Sequence, residues 1–214
     1  MNRLQVAVID YGMGNLRSVA NALKAVAPDV RIEITSDPEQ IATAERVVFP
    51  GQGAMPDCIR ELDTRGLRQA VIAATRDKPF LGICIGLQML FEHSEEGDVP
   101  GLGIYPGEVK RFPAEKMVDI HGAKLKVPHM GWSQVEQSVT HDMWRDIPDL
   151  ARFYYVHSYY VAPAESALTA ATTAYPFDYT CAIARDNVFA VQFHPEKSAE
   201  SGLQLLRNFV NWKP

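Results

Sequence analysis

The chain has 214 residues, of which 47% are hydrophobic, and this size and composition are typical of one globular domain with a single core. Its formal net charge is −5 without a long basic run, which argues against nucleic acid or an anionic membrane as the main partner. Three scattered cysteines are too few for a disulfide framework, and no apolar run has the length of a signal peptide or a membrane span. We therefore expect one cytoplasmic domain over 1–214.

The first part of the chain alternates strand-like and helix-like patterns. The periodicity predicts strands over 5–9, 31–35, 46–49 and 80–83, and helices over 15–26, after Asp37-Pro38 and over 55–73. This alternation is typical of a parallel sheet flanked by helices. In such sheets the ligand site lies at the carboxyl ends of the strands.

A cysteine lies between two glycines at the end of the fourth predicted strand, in Gly82-Ile83-Cys84-Ile85-Gly86, and a helix is predicted to follow over 87–93. The glycines allow a sharp strand-to-helix turn that projects the Cys84 side chain outward. The N–H groups at the start of the helix can hold a developing oxyanion, so the turn suits acyl transfer. An isolated cysteine in an apolar run is more often a small core residue.

From residue 101 to 184 the pattern changes to short strand-like runs separated by turns, at 103–109, 124–127, 131–135, 153–160 and 169–174. These runs predict an antiparallel or mixed β extension. Residues 153–160 contain five aromatic side chains, which indicates either a strand packed on both faces or a protein interface. A strand-like run at 188–193 and a helix over 202–212 are predicted to complete the chain.

His194-Pro195-Glu196 follows directly on the last strand-like run. Pro195 favours an extended backbone at His194, so the side chains of His194 and Glu196 are predicted to lie on similar sides of the segment. The carboxylate can then orient the imidazole. With Cys84 as nucleophile, His194 as base and Glu196 as orienting group, the chain has the parts of a catalytic triad. By itself, His-Pro-Glu is more often a surface turn.

Three motifs in this order, Pro50-Gly51-Gln52-Gly53, Gly82 to Gln88, and Gln192-Phe193-His194-Pro195-Glu196, resemble the signatures of class I, triad-type glutamine amidotransferases. The resemblance spans nearly the whole chain. It implies an α/β, flavodoxin-like fold with a central, mostly parallel sheet flanked by helices and a small antiparallel or mixed extension. It also implies glutaminase activity without a cofactor or a metal ion.

The resemblance implies a role for individual residues. It assigns Cys84, His194 and Glu196 to the triad, the backbone of Gly51, Gln52, Gly53 and Ile85 to the oxyanion hole, and Gln88, Glu96, Ser158 and Tyr159 to glutamine binding. Other interpretations stay open. Pro50 to Gly53 is compatible with an ordinary β-to-α turn, Gln88 with a polar position on a half-buried helix, and Glu96 with a solvated helix end. Gln52 departs from the family, which more often has a small apolar residue there.

Asp10 to Leu16, Pro128 to Trp132 and Tyr155 to Tyr159 are similar to one branch of that family, the glutaminase subunits of imidazole glycerol phosphate synthase. This similarity implies a heterodimer with a TIM-barrel cyclase subunit, which receives the ammonia in histidine biosynthesis. The implied interface residues are Asn15, Pro128, His129, Met130, Gly131 and Trp132.

Three alternatives share part of this evidence: another class I glutaminase, a cysteine peptidase and a binding module without catalysis. A metal site is not expected, because the six histidines show no ligand spacing. A dinucleotide fingerprint at Gly12-Met13-Gly14 lacks its third glycine, since Arg17 stands there.

Overall fold

The computed structural model describes residues 4–118 and 122–214. The strands are β1 Gln5–Ile9, β2 Arg31–Thr35, β3 Arg46–Gly51, β4 Phe80–Cys84, β5 Phe91–Ser94, β6 Val99–Pro100, β7 Tyr105–Arg111, β8 His129–Gln134, β9 Glu136–Gln137, β10 Arg152–His157, β11 Tyr159–Pro163, β12 Thr169–Ala174, β13 Asp178–Arg185 and β14 Val188–Val191. The helices are α1 Leu16–Val26, α2 Pro38–Thr43, α3 Met55–Thr64, α4 Arg68–Asp77, α5 Ile85–Gln88 and α6 Ala199–Asn211. No helix in these ranges is long and apolar enough to cross a membrane.

Twelve of the described strands belong to one sheet, in the order β2-β1-β3-β4-β14-β13-β11-β7-β5-β6, with β12 and β9 attached beside β13. The strands from β2 to β14 are parallel. From β13 onward the neighbours are antiparallel, except for the parallel pair of β5 and β7. The predicted α/β fold is confirmed, and its antiparallel extension continues the same sheet.

The parallel part of the sheet forms the core. Every residue of β3 and β4 is buried, as expected for parallel strands that are covered by helices on both faces. Helix α1 packs with α6, and α2 packs with α4. Strands β8 and β10 form a separate two-stranded unit, which we name the β8–β10 ribbon.

Several element boundaries differ from the sequence-based predictions. The single helix predicted over 55–73 is divided into α3 and α4, because Gly66 between them has a φ of +68°. The helix predicted over 87–93 is limited to α5, and the chain returns to the sheet as β5 beside β7. The strand predicted over 124–127 is absent apart from one bridge between Lys124 and Val118.

The run at 153–160 divides at Ser158 into β10, in the ribbon, and β11, in the large sheet. Six of its eight residues are aromatic or aliphatic, so no change in the hydrophobic pattern reveals that break. Strand β13 was not predicted, although it joins the parallel part of the sheet to the extension. Five of its eight residues are buried in an unbroken run, so it lacks the alternation of a strand with one solvated face.

The three motifs meet at one edge of the sheet. Gly51 at the end of β3 is paired with Cys84 at the end of β4, and β14 lies on the other side of β4. His194 follows β14 after two residues. The prediction that these motifs converge at the carboxyl ends of neighbouring parallel strands is therefore confirmed.

Candidate active site

Cys84 occupies a sharp turn between β4 and α5. Its φ is 56° and its ψ is −111°, a conformation that costs a non-glycine residue on the order of 1–3 kcal/mol. The turn is tight on both sides. A Cβ on Gly86 would lie 1.8 Å from the carbonyl oxygen of Phe49, and one on Gly82 would lie 2.9 Å from the Cβ of Ala190. The flanking glycines are therefore required by close packing, and the strained backbone presents the thiol at the end of the strand.

His194 and Glu196 form a buried pair. Nδ1 of His194 lies 2.9 Å from Oε1 of Glu196, and the two side chains are 2% and 1% exposed. Because Nδ1 donates its proton to the carboxylate, Nε2 is the ring atom available for chemistry. Nε2 has no hydrogen-bond partner among the described residues. The pair thus has the geometry of a base held in one tautomer.

Charge around the imidazole favours its protonated form. Burial by itself lowers the pKa of His194, but the negative charges of Cys84 and Glu196 outweigh burial and raise the pKa above its usual value. The ring is therefore set up as an imidazolium beside the nucleophile, with a proton on Nε2 to give to a leaving group.

The backbone of His194 is fixed by residues that the sequence did not single out. The N–H of His194 donates to the carbonyl oxygen of Tyr154 at 2.9 Å. The Ser198 hydroxyl donates to the carbonyl oxygen of His194 at 2.6 Å and accepts from the N–H of Tyr154 at 2.9 Å. The position of Ser198, two residues after Glu196, could have indicated this role. Its partner Tyr154 lies on another strand, and nothing in the local sequence indicates that the two residues are in contact.

A cavity of about 160 Å³ lies over the thiol. Its lining contains Gln52, Gly53, Cys84, Ile85, Gln88, Glu96, Pro128, Val156, His157, Ser158, Tyr159 and His194. Two predicted site residues are set back from it. Glu196 lies behind His194, and Gly51 lies beneath the cavity, where a Cβ would be 2.5 Å from the Tyr11 hydroxyl. The cavity is too small for an extended peptide and suits a small molecule.

Gln88 is buried and held in one orientation. Its Nε2 donates to the carbonyl oxygen of Tyr159 and to Oε1 of Gln192, both at 3.0 Å. Oε1 of Gln88 has no partner among the described residues. Since both N–H groups are used, Gln88 can offer a ligand only an acceptor. Nε2 of Gln192 lies 3.6 Å from Sγ of Cys84, so Gln192 also contacts the nucleophile, and the sequence analysis did not assign it to the site.

Glu96 reaches the cavity from the loop after β5. One carboxylate oxygen accepts the N–H of Met55 at 2.9 Å, at the first turn of α3. Burial raises the pKa of Glu96, against the lowering effect of that hydrogen bond. A partly buried carboxylate of this kind is stabilised by a cationic group, so the position suits a ligand ammonium.

The proposed interface residues fall into two groups. Met130 and Trp132 are 62% and 49% exposed on the outer face of the ribbon, and the Trp132 ring packs edge-on against Tyr154 at 6.0 Å. Pro128 is exposed, and Gly131 and Asn15 are partly buried. His129 is different. It is 2% exposed, because alternate side chains of β8 point to opposite faces, so its side chain lies on the inner face of the ribbon.

Comparison with known proteins agrees with this geometry. The family model described as glutamine amidotransferase class-I matches residues 7–212. A protein of Nitrosospira multiformis named imidazole glycerol phosphate synthase subunit HisH is 66% identical over 209 residues, which are 98% of each chain. Proteins with the same name from Aromatoleum aromaticum and Nitrosomonas europaea are 66% and 57% identical, over 98% of this chain and 99% of theirs.

Solved structures with lower identity share the fold. PurLQS from Thermotoga maritima has a TM-score of 0.71 at 16% identity, covering 98% of this chain and 99% of that one. A glutamine amidotransferase from Thermotoga maritima has a TM-score of 0.64 at 17% identity, with 94% and 80% covered. The chain belongs to the class-I glutamine amidotransferase family and, within it, to the HisH subunits of imidazole glycerol phosphate synthase.

Proposed function

We propose that the chain is the glutaminase subunit of imidazole glycerol phosphate synthase. In this function it hydrolyses L-glutamine to glutamate and ammonia and passes the ammonia to a cyclase subunit. The observation that carries the proposal is the buried His194–Glu196 pair, which leaves Nε2 of His194 without a partner among the described residues, together with the small cavity that both His194 and Cys84 line. Identities of 57–66% to proteins named as this subunit, over almost the full chain, support the choice of synthase.

The reaction begins at Cys84. Its thiolate attacks the side-chain amide carbon of glutamine, and the amide oxygen becomes an oxyanion. We assign its stabilisation to the backbone N–H groups of the Gly51 to Gly53 loop and of Ile85, because Gln52, Gly53 and Ile85 line the cavity together with Cys84. When the C–N bond breaks, Nε2 of His194 gives its proton to the leaving ammonia. A glutamyl thioester remains on Cys84.

Water then completes the turnover. His194 is now neutral at Nε2 and takes a proton from a water molecule that attacks the thioester carbon. Glutamate leaves and Cys84 returns as the thiolate beside the imidazolium. Throughout the cycle Glu196 keeps a proton on Nδ1, so that every transfer uses Nε2.

Four residues give the cavity its preference for glutamine. We assign the α-ammonium group to the carboxylate of Glu96 and one substrate N–H to the free Oε1 of Gln88. We assign backbone contacts with the substrate to Ser158 and Tyr159, which line the same cavity. A peptide substrate would need an open, extended cleft at this place, and a cavity of about 160 Å³ does not provide one.

The outer face of the β8–β10 ribbon is the proposed docking surface for the cyclase. Met130, Trp132, Tyr154 and Val156 share this face through the pairs Val156–Met130 and Tyr154–Trp132. Exposed Trp and Met with a neighbouring Tyr are typical of the centre of a protein interface. Val156 and Pro128 also line the cavity, so a partner bound there would lie at its mouth. Ammonia could then pass to the cyclase without entering bulk water.

The cyclase subunit would use the ammonia to form imidazole glycerol phosphate and aminoimidazole carboxamide ribotide. We further propose that 1–214 is one amidotransferase domain and that it works in the cytoplasm. The family match over 7–212 and the three unpaired cysteines support these two points.

The test is glutamate release from glutamine by the purified chain, alone and with the cyclase subunit carrying its nucleotide ligand. We expect a large increase when the loaded cyclase is present. Substantial activity of the chain alone, with no increase on adding the cyclase, would contradict the proposal and indicate a different amidotransferase or a stand-alone hydrolase.

Replacing Trp132 by alanine is expected to weaken binding of the cyclase subunit by about tenfold or more, the usual effect of removing a central aromatic anchor. Isothermal titration calorimetry measures the Kd. Ile34→Ala is the matched control, because Ile34 is 39% exposed but lies on β2, the strand at the edge of the large sheet, and not on the ribbon. Equal affinities of the two variants would show that the ribbon does not dock the cyclase.

A further inference from the structure

A chain of hydrogen bonds runs through the interior between the β8–β10 ribbon and the wall of the cavity. The Ser133 hydroxyl lies 2.9 Å from Nε2 of His129, and Nδ1 of His129 lies 3.0 Å from the Tyr179 hydroxyl. That hydroxyl lies 2.9 Å from Nε2 of His157. Nδ1 of His157 lies 2.7 Å from the carbonyl oxygen of Tyr159. The two histidines and Tyr179 are buried, and the mechanism above uses none of the three.

The Tyr159 carbonyl, the last acceptor in this series of hydrogen bonds, determines which atom donates in each of them. The Tyr159 carbonyl only accepts, so Nδ1 of His157 carries the ring proton and Nε2 accepts from Tyr179. The Tyr179 hydroxyl has one hydrogen, so its oxygen accepts from Nδ1 of His129. Nε2 of His129 then accepts from the Ser133 hydroxyl. Every hydrogen bond in the series is therefore donated in the same direction, from the ribbon toward the cavity wall.

This direction requires both imidazoles to be neutral. Burial lowers the pKa of His129 to about 4. It also lowers the pKa of His157 to about 3, against the raising effect of the Tyr159 carbonyl. At pH 7 each ring therefore carries one proton. Because a carbonyl cannot donate, the direction of donation in these hydrogen bonds cannot reverse. The series is therefore suited to holding the side chains in position and not to relaying protons.

At the cavity the chain joins the contacts of the substrate site. The Tyr159 carbonyl accepts from His157 and also from Nε2 of Gln88, which uses both of its lone pairs. The second N–H of Gln88 goes to Gln192, and Nε2 of Gln192 lies 3.6 Å from Sγ of Cys84. Because the Tyr159 carbonyl can only accept, the amide nitrogen of Gln88 faces that carbonyl, and the amide oxygen of Gln88 is left for the ligand.

We propose that Tyr179 is a positioning residue for glutamine: through His157 it holds the Tyr159 carbonyl, and that carbonyl orients Gln88 toward the substrate. Tyr179 is absent from the cavity lining and so acts only through these neighbours. The inference rests on the proposed glutaminase function, because it concerns how the glutamine site of that enzyme is ordered.

The first test is Tyr179→Phe in the complex with the cyclase subunit. Without the hydroxyl, Nδ1 of His129 and Nε2 of His157 lose their partners, and the His157 ring is held only by its hydrogen bond to the Tyr159 carbonyl. Because Gln88 and Tyr159 contact glutamine in the ground state and the transition state alike, we expect KM for glutamine to rise about tenfold while kcat stays within about twofold. Steady-state glutamate release measures both constants.

Tyr155→Phe is the matched control. Tyr155 is also buried and its ring stacks on His129 at 4.8 Å, but its hydroxyl has no hydrogen-bond partner among the described residues. We expect its KM to equal that of the wild type. A KM in Tyr179→Phe no higher than in Tyr155→Phe would overturn the proposal, even if both variants had lost stability.

The second test uses the unaltered protein and does not depend on a variant folding. Ring nitrogen NMR shifts at neutral pH should give the Nδ1–H tautomer for both His129 and His157. An Nε2–H tautomer or an imidazolium at either residue would overturn the proposal. If the wild-type complex released no glutamate, the proposed function would be refuted instead. The tautomers of His129 and His157 would still decide whether the hydrogen bonds run in the direction described.

Discussion

The Cys84→Ala variant, in complex with the cyclase subunit, is expected to lose at least about 10⁴-fold in kcat, to the background of the assay. No second thiol can replace it, because Cys84 is the only cysteine among the described residues that line the cavity. Alanine keeps the Cβ of cysteine, so the backbone strain at φ 56° is the same in both proteins and the fold should be retained. Glutamate release, with far-UV circular dichroism for folding, measures this outcome.

Covalent capture gives the control for this prediction. Diazo-oxo-norleucine, a glutamine-like affinity label, should modify the wild type and Cys58→Ala but not Cys84→Ala. Cys58 is buried beneath the Gln52 loop, and burial raises the pKa of its thiol to about 11, so it remains protonated and unreactive. Capture by Cys84→Ala, or loss of capture in Cys58→Ala, would show that the thioester forms elsewhere.

The convergence of the catalytic motifs could be predicted because it depends on local signals and one rule of topology. Cys84 stands between glycines, and His194 follows a strand-like run, so each motif was placed at a strand end from its own neighbours. Parallel strands bring their carboxyl ends to the same edge. The pairing of Gly51 with Cys84 and the position of β14 beside β4 then follow.

The contacts that orient the site could not be predicted in the same way. Gln88 and Gln192 are 104 residues apart, and their hydrogen bond depends on the exact distance between α5 and the loop after β14. His129 shows the same limit. Its motif resembles an exposed turn, but the register of β8 against β10 places it opposite His157, on the inner face of the ribbon. A shift of one residue would have exposed it.

Short elements were the other difficulty. The residues after Cys84 have the composition of a helix, yet α5 ends at Gln88 because Phe91 pairs with Tyr105 in the sheet. The pairing partner lies in a strand whose own position depends on the whole extension. Tertiary pairing therefore overrides local helix propensity at the point where Gln88 must turn toward the cavity.

Glu196→Gln is expected to lower kcat by about 10³–10⁴-fold while leaving the fold intact. The carboxylate accepts the Nδ1 proton of His194 at 2.9 Å, and an amide can place its own N–H groups there. Nδ1 would then become the acceptor, the ring proton would move to Nε2, and the neutral ring could no longer take a proton from water. The loss should appear in kcat for glutamate release by the complex.

Glu200→Gln is the matched control for this change. Glu200 is a carboxylate in the first turn of α6 whose side chain is 82% exposed, so the same substitution there removes a charge near the site without touching His194. We expect its kcat to equal that of the wild type.

The Glu196→Gln variant also loses one of the two negative charges that raise the pKa of His194, so that pKa should fall, as measured by NMR titration. If Glu196→Gln kept kcat within about tenfold of the wild type, the tautomer of His194 would have to be fixed by another group, and Glu196 would be a buried structural carboxylate.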